Sequence, residues 1–509
     1  MNNVELDNKM KSTNNSIREK RGNKMTKLFK KVMVLCMVFI ALLGIEAQAK
    51  VPIKTPVKVK VNGVYIDFKD ANAVMDSNYR TLVPAREFCE AIGAVVKWEG
   101  KEKKVYINRE GKDVQLELNQ RAIFVDGERK DIDTEILLDK NKTYVPLRAI
   151  TEAFDESVIW TASTKTAEIS VKPIYNHYRG QLHAHTSLSD GMGDPDEAFA
   201  FVKSLGNVDF FALTEHSQMF DNDTTANLFE HESQEWAISK EAAERYTEDG
   251  RFVAITGFEQ SYYDKKSGHM NTFNTEGFLS SNTVDLEEYY QELEKVPDSI
   301  SQFNHPGTTW GDFWDFGFHS KERDALIHLI EVGNGPGKEL NKGYWRCDGL
   351  YHRALDKGWH VSPTNNQDNH IKDWMISNPF RTVILAKELT KESIFKAIRE
   401  NRVYSTEDEN VAVEFYLNGY AMGTKTWDDI FSVSICVNVF DPDYYDPIKE
   451  ISVYTNGGKR VAYETFKNNV SSTNYQITID APKKAAYYYV KVTQKDGNLI
   501  FTSPIWIEK

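Results

Sequence analysis

Cysteine is scarce in this sequence, and its placement excludes two common ways of stabilising a small extracellular domain. The 509 residues contain four cysteines, at positions 36, 89, 347 and 436, and they are too far apart to form a paired motif. Disulfide frameworks and zinc ribbons both need clustered or regularly spaced cysteines. We therefore interpret these residues as isolated thiols, which are usually small buried core residues.

An excess of basic charge and long apolar runs are also lacking. The formal net charge is −13, whereas a protein that coats nucleic acid needs a basic face, so no nucleic-acid coat role is expected. No segment of the chain reaches the length of about 18 apolar residues that is typical of a membrane-spanning helix. We therefore expect no transmembrane span in the mature chain.

The first 49 residues have the parts of a secretory signal peptide. Lysines precede an apolar run at 32–45, and an A-x-A cleavage site follows at 47–49. These features predict a cleavable signal peptide and a protein that is secreted, extracellular or part of the cell envelope. A start of synthesis at Met25 instead of Met1 and an uncleaved anchor are the alternatives.

An internal repeat follows the signal segment. TLVPAR at 81–86 recurs as TYVPLR at 143–148, and the same offset carries Trp98 to Trp160. Agreement of this length indicates a duplication. Each copy is predicted to be a strand, a helix that starts near its proline, and another strand, because proline is favoured in the first turn of a helix.

The repeat, over residues 57–172, resembles the copper amine oxidase N-terminal-like domain of bacterial exported proteins. The resemblance implies a stalk or attachment to the cell envelope, and a spacer module without a ligand is the alternative. Residues 51–172 contain no histidine, so we expect no copper site in spite of the family's name.

Short apolar runs then alternate with amphipathic helices. The predicted strands lie around 181–186, 210–216, 252–258, 300–304, 326–332, 360–363 and 381–386. The predicted helices include 195–205, 235–246, 286–293, 350–357 and 393–399. Repeated strand–helix units predict an α/β protein with a parallel sheet or barrel, whose site forms at the carboxyl ends of the strands.

Histidine and carboxylate residues gather at those predicted strand ends. So many ionisable groups in one pocket are costly unless cations neutralise them. The candidate metal ligands are His183, His185, Asp190, His216, Glu259, His269, His305, Asp368 and His370. His183 and His185, two residues apart on a predicted strand, are expected to face the same side. Nitrogen and oxygen ligands without sulfur suit manganese, zinc or iron and do not distinguish them.

An ordered set of motifs over residues 178–509 resembles the PHP (polymerase and histidinol phosphatase) superfamily of metallohydrolases. The likeness is greatest to its CehA/McbA-like branch, which is named after carbaryl-type carbamate hydrolases. The motifs are LHAHT at 182–186, SDG at 189–191, TEHS at 214–217, GHMN at 268–271, NHP at 304–306, DNH at 368–370, Trp374, RT at 381–382, YYYV at 487–490 and SPIW at 503–506.

The resemblance implies a distorted (β/α)7 barrel and two to three divalent metal ions. One ion would be held by His183, His185, Glu259 and Asp368, a second by Glu259, His269 and His305, and a third by Asp190, His216 and His370. Many family members have histidine where this chain has Asp190, which leaves the affinity of the third site open.

Residues 411–509 change to runs with a period of two residues. The runs lie around 411–417, 431–439, 450–455, 475–479 and 487–493, and turn sequences separate them. This pattern predicts an antiparallel β-sandwich that supports the barrel. The expected organisation is therefore a signal peptide at 1–49, the duplicated α+β module at 50–173, the PHP barrel at 174–410 and the β-sandwich at 411–509.

The predicted metal ions would activate a water molecule, so we expect hydrolysis of a small-molecule ester without a serine or cysteine nucleophile. In agreement, the sequence has no G-x-S-x-G elbow, the motif that carries a nucleophilic serine. A phosphomonoester or phosphodiester is the leading substrate. A carbamate, amide or carboxylic-ester hydrolase and a non-catalytic envelope-binding protein are the alternatives. His216 or His370 is expected to pass a proton to the leaving group. Arg381 would either clamp a substrate oxygen or form a structural ion pair.

Two loops are candidate specificity elements, and core cover is the alternative for both. The first, at 308–316, follows His305 and is rich in aromatic residues. The second, at 334–346, carries glycines and an aromatic pair. Aromatic side chains near a site can stack on a substrate ring.

Overall fold

The computed structural model describes residues 55–68 and 71–509, which form a mixed α/β structure with many strands and few helices. The predicted signal peptide at 1–49 lies outside the described residues. Within those described ranges, no helix is both long and apolar enough to cross a membrane.

The N-terminal part consists of short strands and two short helices around a buried core of its own. Its strands are β1 (Thr55–Pro56), β2 (Lys58–Val61), β3 (Val64–Tyr65), β4 (Val74–Met75), β5 (Thr81–Pro84), β6 (Val95–Glu99), β7 (Lys104–Arg109), β8 (Lys112–Glu117), β9 (Ala122–Val125), β10 (Glu128–Asp131), β11 (Leu137–Asp139), β12 (Lys142–Pro146), β13 (Ser157–Thr161) and β14 (Thr166–Ser170). Its helices are α1 (Ala85–Ala91) and α2 (Leu147–Ala153).

The two copies of the repeat meet at a local twofold relation. Strands β5 and β12 pair antiparallel, and Val83 lies opposite Val145, the equivalent position of the other copy. Each helix follows a proline, Pro84 or Pro146, which occupies the N-cap position. The predicted strand–proline–helix order is therefore present in both copies.

The middle part carries the strands that hold the predicted ligands. Its strands are β15 (Asn176–Gln181), β16 (Phe210–His216), β17 (Val253–Ser261), β18 (His269–Phe273), β19 (Ile300–Asn304), β20 (Ile327–Asn334), β21 (Glu339–Leu340), β22 (Gly343–Arg346), β23 (Ser362–Asn366), β24 (Arg381–Ala386) and β25 (Val403–Thr406). Its helices are α3 (Pro195–Leu205), α4 (Gln234–Tyr246), α5 (Leu286–Leu293), α6 (Lys321–Asp324), α7 (Asp348–Asp356) and α8 (Lys391–Arg399).

These strands form a curved mixed sheet. The pairs β15–β16, β16–β17, β19–β20 and β20–β23 are parallel, whereas β17–β18, β18–β19 and β15–β24 are antiparallel. The hydroxyl group of Thr382 in β24 bonds to the backbone of Asn365 in β23, at 3.0 Å to its nitrogen and 3.1 Å to its oxygen. Strand β24, which pairs with the first strand β15, therefore also lies beside β23 at the other end of the series.

Two features of this sheet differ from the sequence prediction. The first strand ends at Gln181 instead of covering 181–186, and the segment after it is extended without continuous pairing. Strand β18 was not predicted, because the mixed run HMNTF has neither a continuous apolar stretch nor a regular alternation of polar and apolar residues. The expectation of a parallel sheet is therefore wrong for the β17–β18, β18–β19 and β15–β24 pairs and holds for the four parallel pairs.

The helices of the middle part have clear local signals. Helix α3 begins after Asp194, whose side chain accepts the backbone N–H of Glu197, and ends at Gly206, a glycine with φ of 73°. Helix α5 begins with a capping box formed by Asp285 and Glu288. These caps define where helices α3 and α5 begin and end between the strands.

The C-terminal part packs two sheets around a shared apolar core. Its strands are β26 (Ala412–Leu417), β27 (Tyr420–Ala421), β28 (Lys425–Thr426), β29 (Ser432–Phe440), β30 (Ile448–Thr455), β31 (Lys459–Thr465), β32 (Ser472–Asp480), β33 (Ala486–Gln494), β34 (Leu499–Thr502) and β35 (Ile505–Ile507). Strands β27, β26, β29 and β32 form one sheet, and β31, β30, β33, β34 and β35 belong to the other. The pairings are antiparallel apart from β28–β35.

The C-terminal part contacts both other parts. Strand β34 pairs with β25, with Phe501 opposite Ser405. The hydroxyl of Ser434 lies 2.5 Å from Oε2 of Glu90 in helix α1, and the Gln476 amide donates to the Glu87 carbonyl at 3.2 Å. Helix α1 of the repeat therefore lies against the sheet of β29 and β32.

Candidate metal centre

The extended segment after β15 brings the first two histidines into the site. The His185 backbone N–H donates to the Asn369 carbonyl at 2.9 Å, and the Asp368 N–H donates to the His183 carbonyl at 3.1 Å. His183 and His185 are fully buried. Two backbone hydrogen bonds therefore join this segment directly to the segment of Asp368, so that both predicted ligand motifs lie at one place.

Asp368 contacts both His183 and His185 through one carboxylate oxygen. Its Oδ1 atom lies 3.3 Å from Nε2 of His183 and 3.2 Å from Nε2 of His185. These three ligand atoms lie within 4.8 Å of one another, close enough to hold one metal ion. His183 and His185 thus reach the same carboxylate, as their spacing predicted.

Glu259, buried on strand β17, forms a second group with histidines from two other elements. Its Oε1 atom lies 3.4 Å from Nε2 of His183 and 3.5 Å from Nε2 of His305. Nδ1 of His269 lies 3.2 Å from the same oxygen. His269 belongs to none of the three compact ligand groups found among the described residues, although it contacts Glu259.

The third group is more open. Oδ1 of Asp190 lies 3.2 Å from Nε2 of His370 and 3.6 Å from Nε2 of His216. His185 joins this group, and its ring stacks on that of His370 at a centroid distance of 4.1 Å. The side chains of Asp190 and His370 are 44% and 34% exposed, so this is the part of the cluster that solvent reaches.

Several buried ligand atoms of this cluster have no hydrogen-bond partner. They are Nε2 of His183, His185 and His269 and Nδ1 of His305. A buried polar atom without a partner costs roughly 1–3 kcal/mol, so a repeated absence at adjoining histidines needs a compensating ligand. Divalent cations satisfy nitrogen and carboxylate donors together, and the residues present therefore fit metal ions.

The electrostatics of the cluster favour ionised carboxylates. Burial alone raises the pKa of Glu259 and of Asp368, but the adjoining histidines, His183 first, outweigh it and hold both pKa values well below their usual range. Burial lowers the pKa of His185 to about 4, so that its imidazole is neutral at pH 7. Ionised carboxylates and a neutral imidazole are the forms that bind metals.

The exposed group behaves as an ion pair. Burial lowers the pKa of His370, but the hydrogen bond to Asp190 and the negative charges of Asp368 and Asp190 together outweigh it and raise that pKa to about 9. The same hydrogen bond lowers the pKa of Asp190 to about 2. Asp190 and His370 therefore attract each other in the absence of an ion.

Glu331, on strand β20, is a buried residue of the site that the sequence analysis did not assign. Its Oε1 atom accepts from Nδ1 of His183 at 2.9 Å, and its Oε2 atom accepts from the backbone N–H of His305 at 2.7 Å. Asn366 also donates to its Oε1 atom at 2.9 Å. The sequence signal was a glutamate in the second half of a strand that is rich in apolar residues.

Glu215 is a second buried carboxylate behind the ligands. It accepts from the backbone N–H of Thr186 at 2.9 Å, from the Thr186 hydroxyl at 2.7 Å and from the Ser189 hydroxyl at 2.5 Å. The Ser189 oxygen lies 3.4 Å from Nδ1 of His185. Glu215 therefore fixes the turn that connects His185 to Asp190.

Two candidate ligands have unusual backbone conformations. His305 has φ of 26° and Asp368 has φ of 47°, values in the left-handed region. Such conformations cost about 1–3 kcal/mol for residues other than glycine and concentrate at functional sites. The backbone at both positions is thus held by its surroundings in the conformation that presents the side chain.

Arg381 lies apart from these contacts. Its guanidinium donates to the carbonyls of Asn378 at 3.1 Å and Phe380 at 2.8 Å and lies 3.6 Å from Oε1 of Glu409. It is 3% exposed, and burial lowers its pKa to about 10. These contacts favour the structural ion pair over the substrate clamp.

Residues 60–169 match the family model of the copper amine oxidase N-terminal domain. This range falls within the repeat for which the sequence analysis noted that resemblance. The model covers the N-terminal module alone and does not extend to the metal-ligand cluster.

The chain is also similar to uncharacterized proteins of Chlamydia. An uncharacterized protein of Chlamydia pneumoniae is 21% identical over 379 residues, which cover 65% of this chain and 57% of that protein. Uncharacterized proteins of Chlamydia muridarum and Chlamydia trachomatis are 24% and 23% identical over 26% and 28% of this chain. The chain spans 57% of the first relative's length and 23% and 25% of the other two.

Among solved structures, the chain is similar to a two-domain protein of Bacteroides vulgatus that contains a predicted PHP-like metal-dependent phosphoesterase. The identity is 18%, the match covers 65% of this chain and 95% of that one, and the TM-score is 0.35. An engineered protein is 10% identical over 59% of this chain and 49% of its own, with a TM-score of 0.17.

Proposed function

We propose that this protein is a metal-dependent hydrolase that cleaves phosphoric esters with metal-activated water. The observation that carries the proposal is the convergence of eight histidine and carboxylate side chains in three ligand groups, with His269 against Glu259 and buried, unpartnered imidazole nitrogens at the centre. The buried part of this set is costly without cations, because it concentrates ionisable groups where water does not reach.

Two to three ions of manganese, zinc or iron would be held by the residues of the three groups. The inner ions would be held by His183, His185, Glu259, His269, His305 and Asp368, and the outer one by Asp190, His216 and His370. When bound, such ions supply an acidic water and neutralise charge on the substrate oxygens. Adjoining cation sites suit a phosphoryl group, which presents several oxygens, better than a carbonyl group, which presents one.

The chain's own residues account for the proton at the leaving group. His370 is the most exposed of the ligand histidines in the outer group, with 34% of its side chain open against 10% for His216. When the inner ions are bound and the outer site is empty, its Nε2 atom pairs with Asp190, which would hold a proton there until the leaving oxygen accepts it. His216 is the alternative donor.

The described cysteines do not offer a competing nucleophile. Burial raises the pKa of Cys347 to about 12, so it stays a thiol at pH 7. Cys89 and Cys436 are also buried, and burial raises the pKa of each. A thiolate mechanism is therefore disfavoured, because the thiolate is the nucleophilic form.

We further propose that the curved sheet is the distorted (β/α)7 barrel of a PHP enzyme of the CehA/McbA-like branch. The ordered motifs and the side-by-side position of β23 and β24 support this assignment. We also propose that the protein is exported and attaches to the cell envelope through the N-terminal module, which the signal-like segment and the family match at 60–169 support.

Hydrolysis of three chromogenic esters tests the proposal. The protein is purified without chelator, loaded with manganese, zinc or iron, and assayed with p-nitrophenyl phosphate, bis-p-nitrophenyl phosphate and p-nitrophenyl acetate. Metal-dependent turnover of a phosphate ester that is lost in His183→Ala is the expected result. Turnover of the acetate alone would favour a carboxylic-ester or carbamate hydrolase, and inactivity toward all three would contradict an esterase.

A further inference from the structure

Two aromatic side chains lie beside the buried histidines and remain open to solvent. The ring of Trp310 is centred 5.0 Å from that of His269 and 6.1 Å from that of His305. The ring of Tyr263 is centred 5.6 Å from His269 and 6.4 Å from Trp310. Trp310 is 41% exposed and Tyr263 is 60% exposed. Together they form an aromatic wall that contacts both the ligand cluster and water.

The turn that carries Trp310 is held firmly in place. Gly307 and Gly311 exchange two backbone hydrogen bonds of 2.8 and 2.9 Å across it. Gly311 has φ of 132°, and a Cβ atom there would lie 2.6 Å from the nitrogen of Gly268, so only glycine fits. The backbone of Gly311 thereby lies against the residue before His269, which fixes Trp310 beside that histidine before any substrate binds.

Exposure distinguishes Trp310 from the two phenylalanines of its segment. Trp314 is also exposed, at 49%, but the Lys266 ammonium lies over its ring at 4.5 Å. Phe313 and Phe316 are completely buried and belong to the hydrophobic core. A ring that only covered the core would be buried in the same way. The orientation of the Tyr263 ring is fixed by its hydroxyl, which accepts a hydrogen bond from the Gln218 amide at 3.1 Å. Two oriented, exposed rings next to a polar site are typical of a surface that binds a ligand.

Three exposed apolar residues lie close in sequence to the outer ligand group. Met192, Met219 and Ile371 are 57%, 46% and 46% exposed, and each lies within three residues of a candidate ligand in the sequence. The backbone N–H of Met192 donates to the His370 carbonyl at 2.9 Å, which places it at that histidine. An ionic interior with an apolar border suits a ligand whose charged group is joined to an apolar one.

We propose that Trp310 and Tyr263 form a subsite for an aromatic ring of the substrate. The substrates are then esters in which the charged group at the metal cluster is joined to an aromatic ring, and esters of small alcohols bind less well. This inference rests on the proposed function, since it assumes that the charged group is held at the cluster. Offset or edge-to-face packing on the two rings supplies the preference.

Binding of two phosphonates to the manganese-loaded protein tests the subsite without any reaction. Benzylphosphonate and ethylphosphonate carry the same charged group, and only the first has a ring. We expect calorimetry to show benzylphosphonate binding roughly 3- to 10-fold more tightly, as packing of aromatic pairs would give. In Trp310→Ala this preference should disappear while the affinity for ethylphosphonate and the metal content stay unchanged. Trp310→Phe should restore most of it.

A tryptophan remote in sequence from the ligand motifs provides the matched control. Trp427 is 72% exposed in the C-terminal part, so Trp427→Ala should keep the preference for benzylphosphonate. Equal affinities of the two phosphonates for the wild type, a preference that survives in Trp310→Ala, or no binding of either phosphonate would overturn the subsite. Selective binding without hydrolysis of any ester would contradict the proposed enzyme and leave the subsite standing.

Discussion

The imidazole of His183 lies between two carboxylates, with Nδ1 2.9 Å from Oε1 of Glu331 and Nε2 3.3 Å from Oδ1 of Asp368. All three residues come from different elements. A carboxylate that accepts the Nδ1 proton fixes the tautomer in which Nε2 carries the free lone pair. Glu331 would therefore act as a positioning residue that orients His183 toward a metal ion.

Replacement of Glu331 by glutamine should weaken metal binding. The variant Glu331→Gln keeps the size of the side chain but removes the charge that orients His183 and one acceptor that receives the His305 backbone N–H. Loss of an interaction of this kind typically reduces metal affinity about 10- to 100-fold. Titration of the metal-free protein with manganese or zinc measures the change.

Glu339→Gln is the control for that substitution. Glu339 is a glutamate close by in sequence whose side chain is 66% exposed and pairs with Lys342. Its replacement should leave the dissociation constant unchanged. If Glu331→Gln bound metal as tightly as the wild type and Glu339→Gln do, the positioning role of Glu331 would be wrong.

Glu90 should make the stability of the protein depend on pH. Burial raises the pKa of Glu90 to about 7, above its value in the unfolded chain. The contribution of protonated Glu90 to the free energy of unfolding is fully present below about pH 4.5, the ordinary pKa of glutamate. It is lost as the pH rises through about 7. In Glu90→Gln this loss is absent, so the variant should unfold at a higher temperature than the wild type at pH 8 and at a similar temperature at pH 5.

The repeat provides an internal control for Glu90. Glu152 is the equivalent residue of the second copy and is exposed, whereas Glu90 is buried against Ser434. Thermal melts of Glu152→Gln should therefore follow the wild type at both pH values. Equal shifts for the two variants would show that burial of Glu90 is not the cause.

Removal of metal should destabilise the protein. Ions that bind only the folded state add a free energy that grows with the ratio of ion concentration to Kd, about 4 kcal/mol at a ratio of 1,000. Without ions, the buried histidine nitrogens and carboxylates lose their compensating charge. Treatment with a chelator should lower the melting temperature by roughly 5–10 °C, and returning manganese or zinc should restore it. An unchanged melting curve after full removal would contradict a metal site in the buried cluster.

The candidate ligands could be predicted from the sequence because each lies at or just after a strand, within a short motif. Asp190 and His370 come together although they are far apart in the chain, since both motifs follow strands that meet at one end of the sheet. The exact limits of the strands were harder to predict. The strand near His183 was predicted at 181–186, whereas β15 begins five residues earlier, at Asn176.

Glu331 and strand β18 show what the sequence did not reveal. The contact of Glu331 with His183 joins residues separated by 148 positions, and no local pattern reports such a contact. In strand β18, His269 and Asn271 lie at the site, whereas Met270 and Phe273 belong to the apolar core, so its five residues show no continuous apolar run. Neither the long-range contact of Glu331 nor the short strand β18 leaves a local pattern in the sequence.

The metal content of the wild type and two variants is the measurement that tests the central claim most directly. Elemental analysis after purification without chelator should give two to three divalent ions per chain. His183→Ala, which removes a residue shared by two ligand groups, should lose the inner ions, while His370→Ala should lose one ion at most. Wild-type protein that holds no metal even after incubation with manganese, zinc or iron would contradict the account.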